Sequence, residues 1–200
     1  EMLRSLVGSE MCIRDRYEAA ARARPGTWLE IGTYCGKSTV LLAQAARVVA
    51  ESSDAPTQVV TVDHHHGSEE NQPGWEWHDT SMVDEHSGLL DTLPAFRRTW
   101  DEHVKDVVSI VVATTAQVAT WWRTPVEFLF LDGNHVEEMA QHDYAAFAPH
   151  VSVGGLLAVH DVFPDPNDGG QAPWHVVERA LGDGFEQVSQ TGSLRILRRR

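Results

Sequence analysis

From Thr27 onward, short apolar runs alternate with helical patterns. Trp28-Leu29-Glu30-Ile31 predicts a strand ending at Gly32. Between Ser38 and Ala50, apolar residues fall at Val40, Leu41, Ala45, Val48 and Val49, the spacing of one helix face. Val59–Val62 predicts a second strand, residues 92–103 a helix, Val107–Ala113 a third strand, and the region around 115–122 a short helix. Val126–Leu131 is apolar except for Glu127, as a strand buried on both faces should be. Val136, Met139, Ala140, Tyr144 and Phe147 mark the next helix face, Gly155–Val159 a fifth strand and Pro173–Leu181 a further helix. Phe185–Val188 and Leu194–Leu197, about Gly192-Ser193, read as a hairpin. This order predicts an α/β fold: a doubly wound, mostly parallel seven-stranded sheet with right-handed crossovers and an antiparallel C-terminal hairpin.

Two segments depart from the alternation. The polar stretch 64–88 is too long for an ordinary connection and is expected to be a loop or lid inserted into the domain. At the other departure, Ser5–Arg16 reads SLVGSEMCIRDR. Leu6–Asp15 back-translates as CTC-GTG-GGC-TCG-GAG-ATG-TGT-ATA-AGA-GAC, which resembles a transposase-end adapter used in sequencing libraries. Residues 1–16 are therefore expected to lie outside the fold, as a fusion scar would, with 17–200 forming a single domain. On that reading the true start, and any targeting signal, has been replaced.

Composition narrows the partners. Two hundred residues suit one domain. A net charge of −13 argues against a nucleic-acid surface, which needs clustered Lys and Arg. The one basic run, Arg198-Arg199-Arg200, reads as a solvated tail. No apolar stretch approaches the ~20 residues of a membrane span, so no membrane partner is expected. Setting Cys12 aside leaves Cys35 alone, which fits a reducing, cytoplasmic setting.

In a doubly wound sheet, ligands bind at the carboxyl ends of the strands. Polar residues stand there in every case: Glu30 and Gly32, Asp63, Thr114 and Thr115, Asp132, and His160-Asp161. The stretch EIGTYCGKST (30–39) ends like a phosphate-binding P-loop, but three residues separate Gly32 from Gly36 where a P-loop has four. A nicotinamide site would need Gly-x-Gly-x-x-Gly, which is absent. LEIGTYCGKSTVLLA instead resembles the first motif of catechol O-methyltransferase-like enzymes among the class I S-adenosylmethionine-dependent methyltransferases. FLFLDGNHVEEMAQHDY and VGGLLAVHDV resemble a related group of small bacterial methyltransferases, some of whose relatives act on sugars.

That resemblance implies S-adenosyl-L-methionine as cofactor. It places Glu30 at the cationic end of the methionine part, directly or through water, and Gly32 and Gly36 where backbone approaches that part closely. Thr33, Tyr34 and Ser38 belong to the same loop. Asp63 would accept both ribose hydroxyls with His64 beside it, Thr115 would meet the adenine edge, and Asp132 would close the site. The implied reaction is methyl transfer to a small-molecule acceptor, with an oxygen nucleophile favoured. A protein that binds the cofactor without turnover is the alternative, and neither a monomer nor a homodimer is singled out.

A hydroxyl acceptor needs help losing its proton. Asp132 and Asp161 are expected to end neighbouring strands and to converge on a divalent cation such as Mg2+. The resembling enzymes, however, carry Asp-Asn or Asp-Asp where this chain has His160-Asp161. That departure leaves a metal-free base equally open, with His160 or His135 as candidates. In HHHGSEENQPGWEWH (64–78), consecutive histidines point different ways, so a lid fits better than a metal cluster. Trp75 and Trp77 would offer flat faces to an acceptor, while Trp121 and Trp122 are expected to pack under the sheet edge.

Overall fold

The computed structural model describes residues 16–68, 71–74 and 78–200. Trp75 and Trp77, and the adapter-like residues before Arg16, lie outside the described residues. In chain order the elements are β1 (Thr27–Ile31), α1 (Lys37–Ser53), β2 (Gln58–Asp63), α2 (Leu93–His103), β3 (Val108–Val112), α3 (Thr115–Ala119), β4 (Val126–Leu131), α4 (Glu137–Phe147), β5 (Val151–Val159), α5 (Ala172–Gly182), β6 (Phe185–Thr191) and β7 (Leu194–Arg199). The seven strands lie in the order β3-β2-β1-β4-β5-β7-β6. β1 to β5 are parallel, and β7 is antiparallel to both β5 and β6.

Strand alternation sorts the core into two layers. Leu29, Ile31, Leu129, Leu131, Leu157 and Val159 face α3, α4 and α5. Trp28, Val59, Phe128, Phe130, Leu156 and Ala158 face α1 and the segment carrying Ala19, Ala20 and Ala23. Residues 16–20 of that segment are helical. The order of β1 also reverses at β4, so the cleft between them opens at the switch point, where ligands bind in this architecture.

Several expectations are adjusted. The buried face of α1 is Leu42, Ala45, Ala46 and Val49, while Val48 is exposed. Its small alanines let the helix approach the sheet more closely than the larger residues named from the pattern would. Trp122 is buried against Phe147, but Trp121 is exposed, because adjacent residues at a helix end point about 100° apart. Arg198 and Arg199 are not a tail. They lie in β7, and Arg199 donates to the carbonyl of Pro149 at 2.7 Å. Asp132 and Asp161 do follow adjacent strands, with Leu131 paired to Val159.

Candidate cofactor and acceptor site

A cavity of about 850 Å3 lies along the carboxyl ends of β1 to β5. That volume suits a nucleoside-sized ligand with room for an acceptor. Gly32, Tyr34, Asp63, His64, Thr115, Asp132, His135 and Asp161 all contribute to its wall. The loop from the long insertion adds Gly67, Ser68 and Asn71, and the segment after β5 adds Phe163 and Asp168.

The β1 side is built from backbone. The amides of Thr33 and Tyr34 both donate to Asp63 Oδ2 at 2.9 Å, and the amide of His65 donates to Oδ1 at 2.7 Å. Asp63 therefore fixes the turn after β1 as well as facing the cavity. Tyr34 takes a left-handed backbone (φ 50°) in that turn. Gly32, with φ 92°, packs so tightly on the next loop that a Cβ would collide with the backbone of Asp132 and Gly133. At Gly36 a Cβ would stand 2.7 Å from the Phe96 ring. Both glycines thus make room for protein. Gly32 also lines the cavity, whereas Gly36 does not.

Glu30 is also relocated. It shares the parity of Trp28 along β1 and points toward α1, fully buried, behind the cavity wall. Its Oε2 accepts from Thr39 and Thr61 at 2.6 Å each, and Oε1 has no hydrogen-bond partner among the described residues. Burial pushes the carboxyl up to about 7, only partly offset by bonds from Thr39, Thr61 and Ser38. Thr33 and Ser38 are likewise buried behind the wall, Thr33 against Thr61. Alternation along β1 carried this signal, but the resemblance outweighed it.

The β4–β5 side is built from charge. His160 has the parity of Ala158, so its ring lies under the edge, away from the main cavity. Nδ1 stands 3.1 Å from Asp132 Oδ1 and 3.0 Å from Asp161 Oδ1. Burial disfavours the imidazolium, yet the hydrogen bonds to the two carboxylates outweigh it and push the ring up to about 9. The two carboxylates favour the imidazolium, whereas the donor-only Arg16 guanidinium beside Nε2 favours a neutral ring. In either form His160 does not line the main cavity, where an acceptor would meet a base. Arg16 completes the cluster: its guanidinium lies 2.9 Å from His160 Nε2, 3.3 Å from Asp132 Oδ2 and over the Phe130 ring. Grouping Arg16 with the adapter-like segment had hidden it from view.

His135 faces the cavity from the loop before α4, with Nε2 3.5 Å from Asp161 Oδ2. Asp161 has a left-handed backbone (φ 53°), and burial would raise its carboxyl, but the bond to His160 and the nearby charges hold it below the usual range. One ligand atom each from Asp132, His135 and Asp161 lie within 4.8 Å of one another. Neighbouring histidines of the insertion point different ways, while the alternate pair His64 and His66 stack on one another. His64 lines the cavity, His65 is buried between Thr92 and Phe96, and His66 bonds the Leu90 carbonyl.

Asp143 was missed. It lies on α4 with Ala140, Tyr144 and Phe147, is buried, and reaches the cavity wall. A carboxylate within an apolar helical stripe was a readable signal.

A family model described as methyltransferase domain matches residues 29–162. Among solved structures, the O-methyltransferase NovP is 18% identical, with the match covering 94% of this chain and 79% of that one at a TM-score of 0.67. The calicheamicin methyltransferase CalS11 is 15% identical over 98% of this chain and 80% of its own, at 0.63. TomG, an O-methyltransferase from Streptomyces achromogenes solved with S-adenosylmethionine, is 15% identical over 92% and 79%, at 0.57. At such identities the structures testify to fold, and the family model carries the membership. From β1 to the residue after Asp161 that model spans every strand end that builds the cavity, so the chain belongs to the methyltransferase-domain family and has the fold of a class I S-adenosylmethionine-dependent methyltransferase.

Proposed function

We propose that this chain methylates a hydroxyl of a small molecule, with His135, beside the Asp161 carboxylate, taking the proton. The observation that carries this reading is the His135–Asp161 pair at the cavity wall. S-adenosylmethionine supplies the methyl group as a sulfonium, whose sulfur leaves as a neutral thioether. Asp63 is placed to accept the ribose hydroxyls, and the Gly32–Tyr34 turn to cradle the methionine part. The acceptor oxygen must stand about 3 Å from the methyl carbon, in line with the sulfur. Its proton then passes to His135, a step worth typically ~10²–10⁴-fold in rate.

Electrostatics support this division. Asp63, Asp132, Asp143, Asp161 and Asp168 line the cavity, and among the described residues no Lys or Arg does. Such a wall favours a cationic sulfonium and disfavours acceptors carrying phosphate or several carboxylates. The same cluster also supports a second reading. Two carboxylates and an imidazole fit a divalent cation on Asp132, His135 and Asp161. Held there, the ion would acidify the acceptor hydroxyl.

Transfer of a labelled methyl group to a panel of phenols, catechols and sugars, with and without chelator, tests both. Turnover that survives chelator and collapses in His135→Asn supports the base. Turnover lost in chelator and restored by Mg2+ or Mn2+ supports the ion. Tight S-adenosylhomocysteine binding with no transfer to any acceptor would favour a binding protein without turnover.

A further inference from the structure

Among the described residues, Asp168 is the cavity carboxylate that the rest of the chain leaves unused. Asp63 is met by three backbone amides. Asp132 and Asp161 share His160, and Asp132 also meets Arg16. Asp143 is buried beside Thr115. Asp168 lines the same cavity from the segment between β5 and α5 and is exposed. Its side chain makes no hydrogen bond or ion pair among the described residues. Exposed acidic side chains are commonly just solvated, so the setting has to decide whether this one does more.

That setting is a tied loop. Asp165 Oδ1 accepts from the Asn167 amide at 2.9 Å and from Asn167 Nδ2 at 2.7 Å, and the Asp168 amide donates to the Asp165 carbonyl at 3.0 Å. Gln171 Nε2 donates to the carbonyls of Phe163 and Gly169, at 2.8 and 3.1 Å. Gly169 lies so close against the Phe163 ring that a Cβ there would collide with it. One loop therefore presents both an aromatic ring and an unclaimed carboxylate to the cavity.

The hydroxyl-methylation reading above, on which this inference rests, says what comes past the loop. It puts the cofactor after β1 and β2 and the proton-accepting His135 after β4. The acceptor lies on the far side of the methyl group from the sulfur, so its body extends toward β5 and the segment that follows. We infer that the acceptor carries a cationic amine, which Asp168 pairs with beside the Phe163 ring. A cavity walled by carboxylates, with no Lys or Arg among its described lining residues, draws in a cation. An aromatic face attracts one as well. The pairing reads charge and leaves the skeleton that bears the hydroxyl open. A merely solvated Asp168 could be replaced without changing which acceptor is preferred.

Methyl-transfer kinetics with matched hydroxyl acceptors tests this: tyramine against para-ethylphenol, dopamine against ethylcatechol, and glucosamine against glucose. Within the pair that is methylated, the wild-type protein should favour the amine by at least about fivefold in kcat/KM. The difference should lie mainly in KM, because Asp168 stands away from the reacting atoms. Asp168→Asn should reduce the preference to about twofold or less, and Asp168→Lys should reverse it. Unchanged Tm shows that each variant is folded. Equal use of both members by the wild type, or preference for the neutral one, overturns the inference and leaves the methylation reading standing. A preference that persists unchanged in a folded Asp168 variant overturns it too. No transfer to any member removes the methylation reading, and this inference with it.

Discussion

The two halves of the cavity hold their polar groups by different means. Around β1 and β2, backbone amides converge on Asp63, and Glu30 sits in a closed net of threonine hydroxyls. Around β4 and β5, two carboxylates stand among a guanidinium and two imidazoles: Arg16, Asp132, His160, Asp161 and His135. Amide and hydroxyl donors do not titrate near neutral pH, so in the first half only the carboxylates they meet can change state. A charge chain changes when any one member gains or loses a proton. The first arrangement suits a ligand that must always be held in the same pose, and the second suits a group that must exchange protons.

Breaking the charged half should have the largest effect. His135→Asn is expected to lower kcat by ~10²–10⁴-fold, with S-adenosylhomocysteine affinity nearly unchanged by calorimetry. A large loss of affinity with intact kcat would place His135 in the cofactor half instead. Breaking the backbone-held half at Asp63 should act on binding. Asp63→Ala removes an acceptor for two hydroxyls, each bond to a charged group being worth ~1.5–3 kcal/mol, so affinity should fall roughly 10²- to 10⁴-fold. Retained affinity would move the ribose elsewhere.

Glu30 sharpens the comparison through pH. In the fold its carboxyl holds a proton up to about pH 7, against 4.5 ordinarily. The neutral form is therefore the better tolerated one. Below pH 4.5 the group costs nothing, and stability falls as pH rises from there through about 7, by roughly 3 kcal/mol at most. Glu30→Gln should flatten that part of the pH–stability curve in denaturant unfolding. A slope identical to wild type would show that Glu30 is ionised in the fold. The smallest effect is expected at the N-terminus. Deleting residues 1–15 while keeping Arg16 should leave Tm and cofactor affinity nearly unchanged. A drop of several degrees would count against the adapter reading.

The sequence by itself determined the order and type of the elements from β1 to β7, because period-2 and period-3.6 apolar spacing reports burial directly. It also placed Asp63, Thr115, Asp132 and Asp161 at strand ends, since a strand's end is a local property. What it left open was direction and company. Glu30 and His160 were read as site residues from their position after a strand, yet alternation turns both toward the α1 face, and only the packed sheet shows what meets them there. Gly36 looked like a place for ligand until Phe96, sixty residues on, arrived against it. Arg16, Asp143 and the His135–Asp161 pair come together across separations of 26 residues or more, or across two different elements. Such contacts have no local signature, because what brings these groups together is the burial of the apolar faces around them. Tertiary packing alone decided which charges compensate one another, and hence which residue is left to act.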